Sequence, residues 1–318
     1  MEKDQNKEIQ QLFDTEREVQ KYRSYMPSPF IAAALPARDV KKSVFVRKYN
    51  NITLRLTGGI KVPFGKYGRL LLTILTTHAV INKNTNKDAP VIISYKSLNQ
   101  LMKELQLPTS RCNNIKEQLE CFANASFIFE ERLETVAQSS LFKDLLDENS
   151  TLGEEVKVKK VSTGVIPFIK TMQYVDLEDR KGEKQSVAIN IQLSDDFANF
   201  SKEHSVPIDY TVYKNITSAI GKDLYAWLVY RNNSLKEPLY ISRESLVNQF
   251  MPVDENSNKD QFRTNWAYLK DQIMILKEKY YKDLKVSFDS SNMGLTLYKS
   301  KAPIESDDKR YILVTADL

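Results

Sequence analysis

The segment 218–299 constrains this chain more than any other, because its hydrophobic pattern changes period in one fixed order. SAIGKDLYAWLVYR reads as a helix, Leu239-Tyr240-Ile241 as a short strand, and Ser242 to Phe250 as a small helix behind a serine cap. A polar turn follows, then a long helix from Lys259 to Tyr281 and two strands, KVSFD and GLTLYKS. Helix, strand, helix, helix and hairpin is the order of a winged helix. In such a module the last helix enters a DNA groove and the hairpin is the wing.

A less regular copy of that order begins at Gly65. YGRLLLTILTTHAVI is apolar enough for a buried helix, VIISY is a strand, and Ser97 caps SLNQLMKELQL. A helix over about 110–125 carries Ile115, Leu119 and Phe122 on one face. SFIFEERLE is expected to open that module's wing, which an acidic insertion at 136–155 separates from VKVKKVS. Further alternating strands, VIPFIKTMQYVDL and SVAINIQL, flank a polar turn at Asp179–Lys184, and LSDDFANFSKE is a short capped helix. The expected fold class is α+β: two winged-helix domains in tandem behind a charged N-terminal extension, helical or disordered. The expected bounds are 1–36 for the extension and 37–205 for the first domain with its basic arm and acidic wing insertion. The second domain takes 206–303 and a tail takes 304–318.

At 318 residues the chain is long enough for two cores, and 42% hydrophobic with 27% charged residues is a globular balance. No apolar run reaches the ~18 residues of a membrane span, and the charged start MEKDQNKEIQ is no signal peptide. Cys112 and Cys121 make no disulfide framework, so a reducing cytoplasm is the expected compartment. Catalytic constellations are missing. A tyrosine relaxase needs clustered histidines, and the two here, His78 and His204, stand apart as packing or capping residues. Gly59 and Gly65-Lys66 miss the spacing of a phosphate loop, and Tyr67 stands where its hydroxyl residue belongs. Cys112 and Cys121 lack zinc-ligand spacing; Asp195-Asp196 and Asp307-Asp308 read as a helix first turn and a polar tail. The expectation is a binding protein with no catalytic residues, no metal and no cofactor.

What it binds is suggested by charge placement, since the net charge of +5 is modest. Residues 37–70 hold nine basic side chains against Asp39 alone, and Arg47 and Lys48 are candidate phosphate contacts there. On a wheel of the 259–281 helix, Phe262, Trp266, Leu269, Ile273 and Leu276 share one face. Gln261, Thr264, Tyr268 and Asp271 lie opposite, flanked by Lys259 and Arg263. Glutamine pairs with adenine and arginine with guanine, so Lys259, Gln261, Arg263, Thr264 and Tyr268 are candidate DNA contacts. Lys285, Asn292 and Lys299 on the wing are candidate phosphate contacts. In the first module Ser110, Asn113, Asn114 and Lys116 are candidates, but Glu117 and Glu120 on the same face repel phosphate. Specific reading is therefore expected of the second module, with the first contacting backbone or protein.

Gly59-Ile-Lys-Val-Pro-Phe-Gly, Arg69-Leu-Leu-Leu and Thr77-His-Ala resemble a segment of the plasmid-encoded RepA family of replication initiators. Lys222-Asp-Leu-Tyr-Ala-Trp-Leu-Val-Tyr-Arg231, Ser245-Leu-Val-Asn-Gln-Phe250 and Gly294-Leu-Thr-Leu resemble further segments of that family. The resemblance implies an initiator that binds duplex DNA at a plasmid origin, often at repeats, and recruits host replication proteins. It also implies exchange between a homodimer and an origin-binding monomer. A tandem winged-helix transcriptional regulator and a protein-protein assembly module need the same two modules and remain alternatives; an unrecognised nuclease or primase-like enzyme is a more distant one.

Overall fold

Residues 23–36, expected to close an extension, belong to the core instead. The computed structural model describes residues 23–49, 52–137, 156–162, 164–178, 184–252 and 259–304. Strand β1 (Arg23–Pro27) runs into α1 (Ser28–Ala32), which Pro27 and Pro29 start. Met26, Phe30, Ile31 and Leu35 are buried. Pro27 and Pro29 thus turn the chain into the interior.

Hairpin β2 (Val44–Tyr49) and β3 (Ile52–Thr57) precedes the first module. That module has α2 (Gly65–Thr85), β4 (Ile92–Tyr95), α3 (Leu98–Glu104) and α4 (Cys112–Ala123) in the expected order. Ser97 Oγ accepts from Gln100 N–H, which caps α3 as expected. Gly65 starts α2 at φ 68°, a left-handed backbone that favours glycine. His78 on α2 is packed, with Nε2 2.7 Å from Glu104 Oε1.

The wing expectation is wrong for this module. Strand β5 (Ser126–Ala137) does not pair with β4. It lies between β3 and β6 (Val156–Ser162), and β7 (Val165–Pro167) pairs with its start. The wing is instead β8 (Ile169–Glu178) with β9 (Lys184–Leu193), around the turn at 179–183, which lies outside the described residues. β4 pairs with β9, setting Ile93 opposite Ile191 and Tyr95 opposite Ile189, all buried. The physical reason is which face each strand buries. β5 turns Phe127 inward opposite Leu56, both fully buried, and so closes an inserted sheet. The acidic segment 138–155 joins β5 to β6, not two wing strands, and lies outside the described residues.

After α5 (Asp195–His204), β10 (Ser205–Asp209) pairs antiparallel with β1, setting Arg23 opposite Asp209. Then α6 (Tyr210–Asn215) leads into the second module: α7 (Ala219–Ser234), β11 (Leu239–Ser242), α8 (Arg243–Phe250), α9 (Lys259–Ile275), β12 (Lys285–Phe288) and β13 (Gly294–Tyr298). Ser218 and Ser242 cap α7 and α8 by accepting from Gly221 and Ser245 N–H. The sheet order β11–β13–β12 repeats the order β4–β9–β8 of the first module. Two winged helices in tandem is therefore the architecture, with an extra sheet inserted before the first wing. At Gly294 a Cβ would collide with the Ile241 carbonyl oxygen and sit 2.7 Å from Tyr240 Oη, so the wing strand crosses β11 only as glycine.

The modules share one core. Arg69 of α2 and Asp223 of α7 meet as a buried bidentate pair at 2.6 Å on both arms, Nε to Oδ1 and Nη2 to Oδ2. The remaining guanidinium donors reach the carbonyls of Leu35, Pro36 and Gly65 at 2.6–3.0 Å. Burial opposes the arginine's charge, but the Asp223 carboxylate beside it holds its pKa above the usual arginine value.

Candidate nucleic-acid interface

The faces of α9 divide as the wheel requires. Trp266, Leu269, Ile273 and Leu276 are at most 3% exposed, while Gln261, Arg263, Thr264, Tyr268 and Asp271 face solvent. Asn265, unremarked in the sequence, ties α9 to the end of α8. It is buried, accepts from Gln261 Nε2 at 2.8 Å and donates to Met251 O at 3.0 Å.

The candidate contacts are not equally available. Arg263 is 79% exposed and meets Asp260 only loosely, at 3.7 Å, so solvent screens that pair and the side chain is free to move. Thr264 Oγ1 donates to Asp260 O at 2.9 Å, and Tyr268 Oη lies 2.9 Å from Ser218 Oγ at the start of α7. Lys259 begins the helix. Lys285 is exposed at the base of the wing, far along the strand from its tip.

Two wing candidates already have partners. Lys299 Nζ donates to Asn232 O at 2.7 Å and caps the last turn of α7. Asn292, at the tip, accepts through Oδ1 from Trp266 Nε1 and Lys270 Nζ.

In the first module the outer face of α4 is partly covered. Lys61 bonds Glu117 at 2.6 Å and Asp39 at 3.2 Å, and these carboxylates, Glu117 first, hold its pKa above the usual lysine range. Phe64 N–H donates to Gln118 Oε1 at 2.9 Å. The 58–64 loop therefore rests on α4 behind Ser110 and Asn113, which stay exposed, and Asn114 and Lys116, which are half-buried. Below the loop a cavity of about 370 Å³ opens beside Cys121. Burial pushes that thiol up to about 11, so it stays protonated and unreactive.

The basic stretch 37–70 also splits. Arg38, Lys41, Lys42, Lys48 and Arg55 are exposed. Arg69 and Lys61 are spent on carboxylates, and Arg47 turns toward the seam between the modules. Burial draws the Arg47 pKa down despite Asp223 nearby, and its Nη1 is buried with no hydrogen-bond partner among the described residues. Its position argues against a phosphate contact.

The positions that carry the family resemblance thus sit where the fold needs them: Gly65 at a left-handed turn, Arg69 on Asp223, Gly294 at a strand crossing. The family model described as plasmid encoded RepA protein matches residues 62–242, more than half of the chain. The chain belongs to the plasmid-encoded RepA family of replication initiators. The match spans the whole first module and the second as far as β11, so it includes both halves of the Arg69–Asp223 pair. A comparison with curated proteins finds no match. Among solved structures, domains 2 and 3 of RctB align over 88% of this chain and 99% of that one, at 11% identity and a TM-score of 0.49. The Pi initiator protein in complex with iteron DNA aligns over 80% of this chain and 96% of that one, at 12% identity and a TM-score of 0.39.

No group of three or more metal-ligating side chains exists among the described residues, and none of their helices is long and apolar enough to cross a membrane.

Proposed function

We propose that this RepA-family chain binds duplex DNA of a plasmid origin sequence-specifically and without catalysis, in the bacterial cytoplasm where the plasmid resides. The second module is the reader. The observation that carries this is the exposed Arg263 on the solvent face of α9, whose opposite face is buried in the core. Gln261, Thr264 and Tyr268 stand around it, Lys259 meets phosphate at the helix start, and Lys285 meets phosphate from the wing. Ser110, Asn113, Asn114, Lys116 and Lys48 hold backbone from the first module. Arg47 leaves the contact set because it turns into the seam between the modules, and Lys299 because its ammonium caps α7.

The carboxylates of Glu117 and Glu120 on α4, which repel phosphate, favour protein contact as the first module's other task, with a second copy of the chain and host replication proteins as partners. The inserted sheet supports this reading. Val46, Arg55, Ile128 and Val165 align across four of its strands, and both valines are exposed.

The test begins by selecting a high-affinity duplex from random sequence with the wild-type chain. Arg263→Ala should then lose about 1–3 kcal/mol on that duplex and little on mixed-sequence DNA. Equal loss on both removes Arg263 from base reading. Lys285→Gln should weaken binding to every sequence and flatten the plot of log affinity against log salt by about 0.9. An unchanged slope takes Lys285 out of the interface.

A further inference from the structure

The wing tip is built to hold on to the reading helix. Asn292 sits at φ 58°, a left-handed backbone that asparagine tolerates better than most residues. Its N–H donates to Asp289 O at 2.9 Å, Ser291 N–H donates to Asp289 Oδ1 at 3.1 Å, and Asp289 N–H donates to Gly294 O at 3.1 Å. The turn is therefore closed on itself before any side chain reaches out. It aims the Asn292 carboxamide at α9, where Oδ1 accepts from Trp266 Nε1 at 3.0 Å and from Lys270 Nζ at 3.2 Å.

These two donors lie one helical turn apart, and Phe288 fills the angle between helix and wing. Its ring stands edge-on to Trp266 at 6.2 Å and lies 5.9 Å from the Lys270 ammonium. Trp266 thus spends its apolar body on the core and its single polar atom on the wing.

We propose that Asn292 is a positioning residue that locks the wing to α9, so that DNA meets helix and wing as one rigid surface. This rests on the reading of α9 and the wing as the duplex-binding surface. A groove and its flanking phosphates stand at a set separation. A wing already held at that separation pays no ordering cost on binding, whereas a loose wing must be fixed each time. A mixed-sequence complex, which lacks base contacts to hold register, gains less from this fixity.

Two variants separate the side chain from the backbone. Asn292→Gly keeps the left-handed turn and removes the carboxamide, while Asn292→Asp keeps the accepting oxygen. In DNA-free protein, acrylamide quenching of tryptophan emission should rise about two-fold in Asn292→Gly, because the edge of Trp266 is uncovered, and return toward wild type in Asn292→Asp. Asn292→Gly should also lose about ten-fold in affinity for the selected duplex, with roughly two-fold or less on mixed-sequence DNA. Unchanged quenching in Asn292→Gly overturns the proposal. Raised quenching with full preference for the selected duplex overturns it too. A wild-type chain that prefers no duplex over mixed sequence would instead overturn the duplex-reading function, and the quenching comparison would still decide whether the tie to Trp266 holds the wing.

Discussion

Arg69→Ala should destabilise the folded chain by about 3–5 kcal/mol, measured as a shift of the urea unfolding midpoint at constant slope. The loss comes less from the attraction than from what stays behind. Asp223 is 6% exposed, and without Arg69 it becomes a buried carboxylate stripped of both its bidentate bonds. Three main-chain carbonyls, those of Leu35, Pro36 and Gly65, lose their donor as well. Asp223→Ala should cost more than Arg69→Ala, because the site is not balanced. Burial drives the Lys222 ammonium well below the usual lysine range, and the neighbouring Arg69 and Lys66 charges push it further. Arg47 is drawn down by burial, with Arg69 adding to it. For both groups Asp223 is the charge that opposes the shift, so one carboxylate serves several cations. The double variant Arg69→Met with Asp223→Leu should regain only part of the stability: it removes the stranded partner of each single variant, but Lys222 and Arg47 still lose the carboxylate and three carbonyls still lose their donor. A loss under about 1 kcal/mol in Arg69→Ala would sink this account of the seam and point to Arg47 moving onto the carboxylate.

That seam marks the limit of what could be read from the chain. The second module was legible because every signal in it is local. Serine caps and a helical stripe act within a few residues of where they stand. The helical wheel of α9 was correct at Trp266, Leu269, Ile273 and Leu276 for the same reason, with Phe262 only half-buried. What failed was pairing at a distance. SFIFEERLE announces a strand, but nothing in it says that its partner is Ile52–Thr57, about seventy residues earlier, instead of the adjacent strand of its own module. Charge failed likewise. Arg69 and Arg47 looked like members of a solvent-facing basic run, and only the fold brings Asp223 to them across 154 residues of chain from Arg69. Lys61 and Glu117 meet in the same way over 56 residues. Side-chain exposure was therefore legible best where the candidates lie on one helix and worst where their charges had distant carboxylates to answer.

Phe168→Ala should cost about 3–5 kcal/mol, and its effect should be felt first in the first module. Phe168 is fully buried and stands between β7 and β8, where the inserted sheet hands the chain to the wing. Its ring lies 4.9 Å from Phe122 on α4 and from Phe127 on β5, 5.3 Å from Phe197 on α5 and 5.9 Å from Phe30 on α1. Its main chain does the same joining. The N–H donates to Ala125 O just ahead of β5, and the carbonyl accepts from Ser194 N–H just after β9. Four elements that the sequence scatters from residue 30 to residue 197 thus touch a single side chain. Its removal leaves a cavity walled by rigid rings on separate elements, which cannot close in together. Phe168→Leu fills part of that space and should recover roughly half of the loss. In amide hydrogen exchange of Phe168→Ala, β5, β8 and β9 should lose protection before α9 does, because α9 packs on α7 and α8, away from these rings. Equal loss of protection in α9 would show that the two modules open only as one unit. The Arg69–Asp223 seam would then transmit the damage, and duplex reading by the second module would depend on the integrity of the first.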